Sequence, residues 1–474
     1  MLSSFRRRDK RHEDTALLQQ ISLDSGEPKL RPKRKLATSG SSFKLLVVLL
    51  TLWMLLIHYF ERIRVKNAVN ACQWENWENW TGSKADVRPH RVVLLADPQL
   101  VDDHTYPKLP RLANYLIRKM SDNYLYINNK YMEAYLDPDT TIFVGDLFDG
   151  GREWDDDVWI EEYKRFNAIF PRKPNRRTFR SLPGNHDIGF QNISYHNLRR
   201  FSSFFGELND AFELGNHTFV QLDTISMSHE DEQINRDSFA FLDSFDSFIN
   251  PLLPRILLSH VPLYRDPGVE VCGPGRESKR KFPLQRGFQY QTVIDYFITK
   301  DVLDRVNPTL VFSGDDHDYC DIVHVDYSDN TKKLAREISC KTPSMTNGIK
   351  YPAYHLLSLN NPYDPKPKTG LVDPNNEKTY ETMMCYLPNP YRGVKVYGFC
   401  LLLLFAILYA CIIHPEKVER WIGKAKPQIL PQTLQSLVPP DEGLDLRTRK
   451  INCLVHCGAL LTCILVLLSL YNRM

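Results

Sequence analysis

Residues 140–149 read TTIFVGDLFD, a short run of β-branched and apolar residues that stops at Gly145, Asp146 and Asp149. Such a run predicts a strand that is buried on both faces, with its polar residues just past the strand end. Five further stretches have this form: 91–99 (RVVLLADPQ), 178–187 (TFRSLPGNHD), 217–224 (HTFVQLDT), 255–262 (RILLSHVP) and 309–317 (TLVFSGDDH). Helical spacing falls between them, over 109–134, 157–170, 195–205 and 291–305. Alternating strands and helices predict an α/β core.

Five of these six stretches end in Asp, Asn or His. One carboxylate after a strand is usually a turn or cap residue, but five such ends in sequence order are hard to explain in that way. Functional groups of open α/β sheets lie just beyond the strand ends, and carboxylate, amide and imidazole groups suit hard divalent metals. The candidate residues are Asp97, Gln99, Asp146, Asp149, Asn185, His186, Asp187, His260, Asp315 and His317.

The order of these motifs, D-x-x, G-D-x-x-D, G-N-H-D, H and G-x-x-H, resembles that of the calcineurin-like metallophosphoesterase superfamily over residues 91–325. GDLFDG and GNHD together are highly specific. The stretches ADPQ, GDLFDGGR, SHVPLYR and SGDDHDYC, with apolar runs on either side, resemble one branch, the GPI-glycan phosphodiesterases of the endoplasmic reticulum. The resemblance implies an α/β fold with a β-sandwich core flanked by helices.

The resemblance also implies two divalent metal ions, with Mn²⁺ expected. One ion would be held by Asp97, Asp146 and His317, with Gln99 where the family usually has His. The second would be held by Asp146, Asn185, His260 and Asp315, so that Asp146 bridges. His186 would contact the phosphoryl group or protonate the leaving group, and Asp187 would orient its imidazole, with Asp149 further out. Because Gln99 and Asp315 are oxygen donors in place of imidazoles, the site favours Mn²⁺ or Mg²⁺ over Zn²⁺.

The activity that the resemblance implies is removal of an ethanolamine-phosphate side branch from a mannose of the GPI glycan, with the second mannose favoured. Such a reaction would support export of GPI-anchored proteins from the endoplasmic reticulum. These proteins are the expected substrates, and membrane lipids and cargo receptors of the early secretory pathway are expected partners. The alternatives are hydrolysis of another lipid or glycan headgroup diester, or a non-catalytic adaptor for GPI cargo. A net charge of +3 over 474 residues gives no reason to expect nucleic acid.

Three apolar runs, at 45–60, 396–413 and 453–470, predict transmembrane helices. A cleaved signal peptide is the alternative for the first run, but its charged region would exceed forty residues. The distribution of Lys and Arg predicts a cytosolic basic tail at 1–44 and a cytosolic loop at 414–450. Residues 72–393 then form a lumenal domain, and the resemblance indicates the endoplasmic reticulum membrane.

Other features fit a lumenal domain. Asn79, Asn192 and Asn216 begin glycosylation sequons, all in that segment. Five cysteines lie there too: Cys72, Cys272, Cys320, Cys340 and Cys385. Since the loops after His260 and His317 start near each other if both residues are ligands, we predict a Cys272–Cys320 disulfide. Pairing of either cysteine with Cys340, or free thiols, stays open at this point.

Two further segments have two interpretations each. The loop 264–291 is basic, and it either contacts an anionic substrate or is a solvated surface. The segment 74–80, WENWENW, either places tryptophans at the membrane headgroups or packs against the domain. The basic residues of the loop are Arg265, Arg276, Lys279, Arg280, Lys281 and Arg286.

Overall fold

The computed structural model describes residues 40–80, 88–361, 378–424 and 443–472. The chain divides into two units, one of residues 1–49 and 405–460 and one of residues 50–404 and 461–474. The sheets and all the candidate ligands belong to the second unit. The predicted basic tail lies outside the described residues, except for its last five positions.

Two sheets form the core of this unit. The first has five strands in the order β13-β12-β1-β2-β3, and the second has six in the order β10-β11-β9-β6-β5-β4. Strands β1, β2 and β3 are parallel, as are β5, β6 and β9. The strands are β1 His90–Leu95, β2 Thr140–Phe143, β3 Arg177–Phe179, β4 Asp210–Leu214, β5 His217–Gln221, β6 Arg255–Leu258, β7 Arg286–Gly287, β8 Tyr290–Gln291, β9 Leu310–Ser313, β10 Cys320–Asp326, β11 Asp329–Ser339, β12 Ala353–Leu359 and β13 Tyr380–Tyr386.

Alternation along the strands explains the layered packing. Val92 and Leu94 of β1 belong to one apolar cluster together with Ile256 and Leu258 of β6, which places this cluster between the sheets. Val93 and Leu95 belong to a second cluster that also contains helix residues. Since successive side chains of a strand point to opposite faces, both faces of each central strand are buried, as the continuous apolar runs predict. The β-sandwich flanked by helices is confirmed.

All six predicted strands are present, although each is shorter than its apolar stretch. The predicted helices are also present, and the one at 195–205 has the predicted bounds. The helices are α1 Gly40–His58, α2 Arg64–Asn70, α3 Arg111–Tyr135, α4 Asp156–Ile169, α5 Asn185–Ile188, α6 Tyr195–Phe205, α7 Thr224–Met227, α8 Glu232–Ser244, α9 Tyr296–Val306, α10 Pro390–Ile413, α11 Pro415–Lys424 and α12 Leu446–Tyr471. A π-helical turn, Tyr59–Ile63, joins α1 to α2.

Three helical segments are long and apolar enough to cross a membrane. They contain the three predicted apolar runs and extend beyond them: Phe43–Asn70, Pro390–Ile413 and Leu446–Tyr471. The extra turns carry polar residues, such as Arg62 and Arg64 on the first helix. Hydropathy finds only the apolar centre of a span, so the sequence understates the length of each helix.

Two disulfides pin the domain. Cys272 and Cys320 are bonded, with their Cα atoms 4.7 Å apart, which confirms the predicted pair. Cys72 and Cys385 form a second disulfide. Cys72 lies just after α2, and Cys385 lies in strand β13. Cys340 is free and buried.

The tryptophan-rich segment packs on the domain, because Trp74 is buried and donates to the carbonyl of Leu136 at 2.7 Å. The headgroup interpretation is therefore wrong for Trp74.

The buried His217 gives the fold a testable pH dependence. Its Nδ1 lies 2.8 Å from the carbonyl oxygen of Gly215 and its Nε2 lies 2.9 Å from Thr379 Oγ1. Burial lowers the pKa of His217 to about 4, whereas an unfolded histidine titrates near 6.5. Between these values the unfolded chain binds a proton that the folded chain excludes, so stability decreases as the pH falls.

We therefore expect His217→Gln to lose less stability than the wild type between pH 6.5 and 4.5. The difference is at most about 1.4 kcal/mol per pH unit for one group. Thermal unfolding of the full chain in detergent measures it at several pH values. His414→Gln, a change at an exposed histidine that forms no ion pair among the described residues, is the control and should keep the wild-type slope. Equal slopes for all three proteins would contradict the assignment.

Candidate metal centre

Tight turns at the strand ends carry the candidate ligands. Asp97, Gln99, Asp146, Asp315 and His317 all have positive φ, between 36° and 62°. Non-glycine residues rarely adopt this conformation, and it persists only where the surrounding structure holds it. These five are more than half of the nine non-glycine residues with positive φ in the described part of the chain. The backbone is therefore strained at the place where the polar side chains meet.

Two glycines allow the turns to approach each other. A Cβ atom on Gly184 would lie 1.9 Å from Asp146 Oδ1, and one on Gly145 would lie 2.2 Å from His260 Nδ1. Gly145 also has a φ of 83°. Any side chain at either position would displace a candidate ligand, so the glycines of GDLFDG and GNHD are required by space as well as by conformation.

The turns bring Asp97, Asp146 and His260 together, with one ligand atom of each within 4.8 Å of the others. His260 Nε2 lies 3.4 Å from Asp146 Oδ1 and 3.9 Å from Asp315 Oδ1. The backbone N–H of Asp315 donates to Asp97 Oδ1 at 2.9 Å. Gln99 Nε2 donates to Asp146 Oδ2 at 3.2 Å. Residues from the ends of β1, β2, β6 and β9 thus converge on one point at the edge of both sheets.

Among the buried polar atoms that lack a hydrogen-bond partner in the described part of the chain, four belong to the predicted metal ligands. Asp97 Oδ2, Asn185 Oδ1, His260 Nε2 and Asp315 Oδ2 are buried and accept or donate no hydrogen bond among the described residues. Asn185 Nδ2 donates to the carbonyl of Gln289 at 3.0 Å, and His260 Nδ1 donates to that of Val144 at 2.8 Å. Each of these two side chains is therefore oriented through one atom, and its other atom remains for coordination. The donor set fits divalent cations.

The electrostatics also indicate a cation site. Burial, with the neighbouring Asp146 and Asp315 charges, raises the pKa of Asp97 well above its usual range. Burial and Asp146 likewise raise the pKa of Asp315 to about 7. Burial lowers the pKa of His317 to about 4, which keeps its imidazole neutral and able to coordinate. Crowded buried carboxylates oppose each other's ionisation, and a bound cation removes this opposition.

His186 lies at the open side of the cluster. Its side chain is 27% exposed, whereas those of Asp146 and His260 are each 1% exposed. His186 Nδ1 donates to the carbonyl of Asp149 at 2.6 Å, and the Asp149 carboxylate lies 3.4 Å away. Asp149 therefore fixes the imidazole, and Nε2 is the nitrogen left for a substrate.

Asp187 has a different role from the predicted one. Its carboxylate accepts the backbone N–H groups of Gly184, Leu147 and Phe148, at 2.9 to 3.1 Å. The prediction that it orients His186 is wrong, because Asp149 does so. Asp187 instead ties the GNHD turn to the GDLF turn and so positions Asp146. Burial and Asp146 raise the pKa of Asp187 to about 7.

A second group of residues, which no sequence motif indicates, supports the centre. Thr342 Oγ1 and Asn347 Nδ2 donate to the carbonyl of Asp97, at 2.7 and 3.0 Å. Gln289 holds Asn185 from the hairpin of β7 and β8. None of them belongs to a motif or follows a predicted strand, and only the folded chain shows their contacts.

The loop 264–291 is not a uniform basic surface. Arg265 is fully buried and pairs with Glu337, and Arg276 pairs with Asp316. Both guanidinium groups also lie over the ring of Phe282. The expectation that these two arginines contact an anionic substrate is therefore wrong, because their charges are neutralised inside the domain. Lys279, Arg280, Lys281 and Arg286 remain exposed.

Comparison with known proteins gives a consistent result. The family model described as calcineurin-like phosphoesterase matches residues 90–319. Cell division control protein 1 of Saccharomyces cerevisiae is 48% identical over 77% of this chain and 73% of its own length. Metallophosphoesterase 1 of Cricetulus griseus is 23% identical over 60% of this chain and 70% of its own length. Metallophosphoesterase 1 of Xenopus laevis is 24% identical over 76% of this chain and 87% of its own length.

Fold and site together define a hydrolase, a metal-dependent phosphoesterase that uses divalent metal ions. The chain belongs to the calcineurin-like phosphoesterase family. Its similarity to Cell division control protein 1 and, more distantly, to Metallophosphoesterase 1 agrees with the branch that the motifs resemble.

Asp146→Asn tests the position of the bridging ligand. We expect it to lower kcat/KM on bis-p-nitrophenyl phosphate by more than about a hundredfold, because changes outside the ligand set already cost about 10- to 100-fold. Gln99→Ala should have a smaller effect, and Gln99→His should shift the metal preference from Mn²⁺ towards Zn²⁺. Assays with each metal in turn measure these changes. Wild-type activity of Asp146→Asn would refute the bridging role, and an unchanged metal profile of Gln99→His would exclude Gln99 as a ligand.

Asp187→Asn and Asp149→Asn separate positioning from proton transfer. Asp187→Asn places an amide N–H against backbone N–H donors, so we expect it to weaken Mn²⁺ affinity by about 10- to 100-fold. Asp149→Asn keeps the backbone carbonyl that accepts from His186 but removes the carboxylate charge 3.4 Å from its Nδ1, so it should lower turnover while the affinity for Mn²⁺ stays near that of the wild type. Calorimetric titration and steady-state kinetics give the two quantities. Wild-type Mn²⁺ affinity in Asp187→Asn would show that Asp187 does not position the ligands.

Proposed function

We propose that this protein is a Mn²⁺-dependent phosphodiesterase that removes an ethanolamine-phosphate side branch from a mannose of the GPI glycan. The observation that carries the proposal is the ligand set itself, in which Gln99 and Asp315 provide oxygen where the family pattern has imidazole. The similarity to Cell division control protein 1, with its 48% identity, supports the same branch.

The charge of the ligand set favours a diester. Asp97, Asp146 and Asp315 offset three of the four positive charges that two divalent ions bring. A less positive site suits the single charge of a phosphodiester better than the double charge of a phosphate monoester. Oxygen donors also suit Mn²⁺ or Mg²⁺ better than Zn²⁺.

The candidate residues have different roles in the proposed hydrolysis. Two divalent metal ions held here would polarise the phosphoryl group of the substrate and supply a hydroxide nucleophile. Asp97, Asp146, Asn185, His260, Asp315 and His317 would hold the ions, with Gln99 beside Asp146. The imidazole of His186, whose Nδ1 donates to the Asp149 carbonyl, would donate a proton from Nε2 to the leaving sugar oxygen. Asp149 keeps the ring in place during this transfer.

The proposed location is the endoplasmic reticulum membrane, with the catalytic domain in the lumen. Three observations support this location: the candidate spans, the two disulfides, which need an oxidising compartment, and the exposed side chains of Asn79, Asn192 and Asn216. In this location the substrates would be GPI-anchored proteins, and the reaction would precede their export with cargo receptors.

GPI-glycan analysis tests the proposal. Cells without the protein should accumulate GPI glycans with one additional ethanolamine phosphate on a mannose, and fragment masses identify which mannose carries it. The wild-type chain and Asp237→Asn, a change at an exposed carboxylate, should both remove this group, whereas Asp146→Asn should not. Unaltered glycans in the deficient cells would refute the substrate. Full activity of Asp146→Asn in these cells would favour an adaptor that does not use the metal centre.

A further inference from the structure

A cavity of about 400 Å³ lies where the candidate spans meet the catalytic domain. Its lining includes Trp53 of the first span, Tyr397 of the second, Leu465 of the third and Met120 of α3. All its lining residues belong to the unit of residues 50–404 and 461–474. The volume is within the range of about 300–1,000 Å³ that is typical of small-molecule sites. The metal centre does not use these residues.

The surroundings of the cavity are apolar. Val394 and Leu465 line it and are also exposed on helices that are apolar enough to cross a membrane. The cavity is therefore open beside residues that a bilayer would cover. Because polar groups are costly to move through hydrocarbon, entry from this side favours a ligand that carries hydrocarbon itself.

Helix α3 continues the apolar surface. Leu112, Leu116 and Met120 are exposed and four residues apart, which puts them on one face of this helix. Arg111 and Lys119 flank them. An apolar stripe next to basic residues is typical of a helix that lies in a membrane interface. Because Met120 also lines the cavity, the stripe leads directly to it.

A few polar groups interrupt the apolar lining of the cavity, and two of them are hydrogen-bond acceptors without a partner. Asn123 Oδ1 and Asn128 Oδ1 are buried and unpaired among the described residues. The Glu61 carboxylate accepts from Tyr397 Oη at 2.9 Å and from Asn123 Nδ2 at 3.3 Å. Trp53 Nε1, also unpaired, is a donor for a phosphate or ester oxygen. The unpaired oxygens of Asn123 and Asn128 favour a ligand with hydroxyl or amino groups as hydrogen-bond donors. The headgroup of phosphatidylcholine has no such donors.

One segment borders both the cavity and the metal centre. Met345 lines the cavity, and its carbonyl accepts from Tyr391 Oη of the second span at 2.8 Å. Thr342 and Asn347, on either side of Met345, both donate to the carbonyl of the candidate ligand Asp97. A molecule in the cavity is therefore one short segment away from the catalytic centre.

We propose that this cavity holds the lipid end of a glycolipid substrate, with its hydrocarbon beside the spans and its sugar or amino groups at Asn123 and Asn128. The proposal rests on the proposed function and deepens it, because it makes the membrane anchor of the GPI a recognised part of the substrate. The enzyme then distinguishes a lipid-bearing GPI from the same glycan without lipid.

Gly398 allows a direct test. It lines the cavity, and an added Cβ would meet no atom within 4 Å. Gly398→Leu therefore adds side-chain volume at the cavity from a Cβ that meets no neighbour, and it replaces a glycine by a good helix former. A Cβ on Gly458 of the third span would also meet no atom within 4 Å, and Gly458 does not line the cavity, so Gly458→Leu is the matched control.

Binding is measured by native mass spectrometry on the full chain in detergent, with synthetic glucosaminyl phosphatidylinositol as the probe. The wild type and Gly458→Leu should bind one molecule, and Gly398→Leu should bind it about tenfold more weakly or worse. Phosphatidylcholine should compete poorly. Unchanged affinity in Gly398→Leu would overturn the site, and equal binding of phosphatidylcholine would overturn the glycolipid class.

Hydrolysis provides the second readout. Gly398→Leu should lose activity on a lipid-bearing GPI that carries ethanolamine phosphate, and should keep wild-type rates on bis-p-nitrophenyl phosphate. Equal loss on both substrates would refute a lipid-specific role. If the wild type binds the probe in the cavity but cleaves no GPI, the proposed function fails and the lipid site stands. If it cleaves GPI and Gly398→Leu does so equally well, the lipid site fails and the function stands.

Discussion

The catalytic domain is organised around one buried negative charge, the carboxylate of Asp146. A buried carboxylate is costly unless donors and cations surround it. Burial works to raise the pKa of Asp146, but His260 and His186 outweigh it and hold the pKa below its usual value. The donors come from separate turns: the His186 backbone N–H at 2.9 Å and the Gln99 side chain at 3.2 Å. Both sheets must therefore end at the same edge for this charge to be buried.

The sequence predicts the central strands well because their signal is local. A strand buried on both faces is a continuous apolar run, and its polar end marks the site. Strand β12, which lies between β13 and β1, and the edge strand β13 were not predicted. Neither strand is followed by a candidate ligand, and the pairing of β12 with β1 joins residues more than 250 positions apart. The role of Asp187 was missed for a similar reason. Its type and position are visible in GNHD, but the three backbone N–H groups that it accepts depend on how two turns pack.

The domain is tied to its membrane segments at both ends. The disulfide between Cys72 and Cys385 joins the end of the first span to the strand that precedes the second. Such a bond fixes where the domain leaves the spans, and the segment of Thr342 and Asn347 then connects the spans to Asp97. The candidate ligands, the disulfide and the cavity all agree with the function proposed above, phosphodiester hydrolysis on a substrate that remains in the membrane.

The most direct test of the central claim is the number and coupling of metal ions in the purified full chain. After reconstitution with Mn²⁺, metal analysis and electron paramagnetic resonance are carried out on the same sample. The turns around Asp146 predict two ions per chain, about 3.5–4 Å apart and therefore magnetically coupled. A single ion per chain, or two ions with the spectrum of isolated Mn²⁺, would contradict a centre bridged by Asp146.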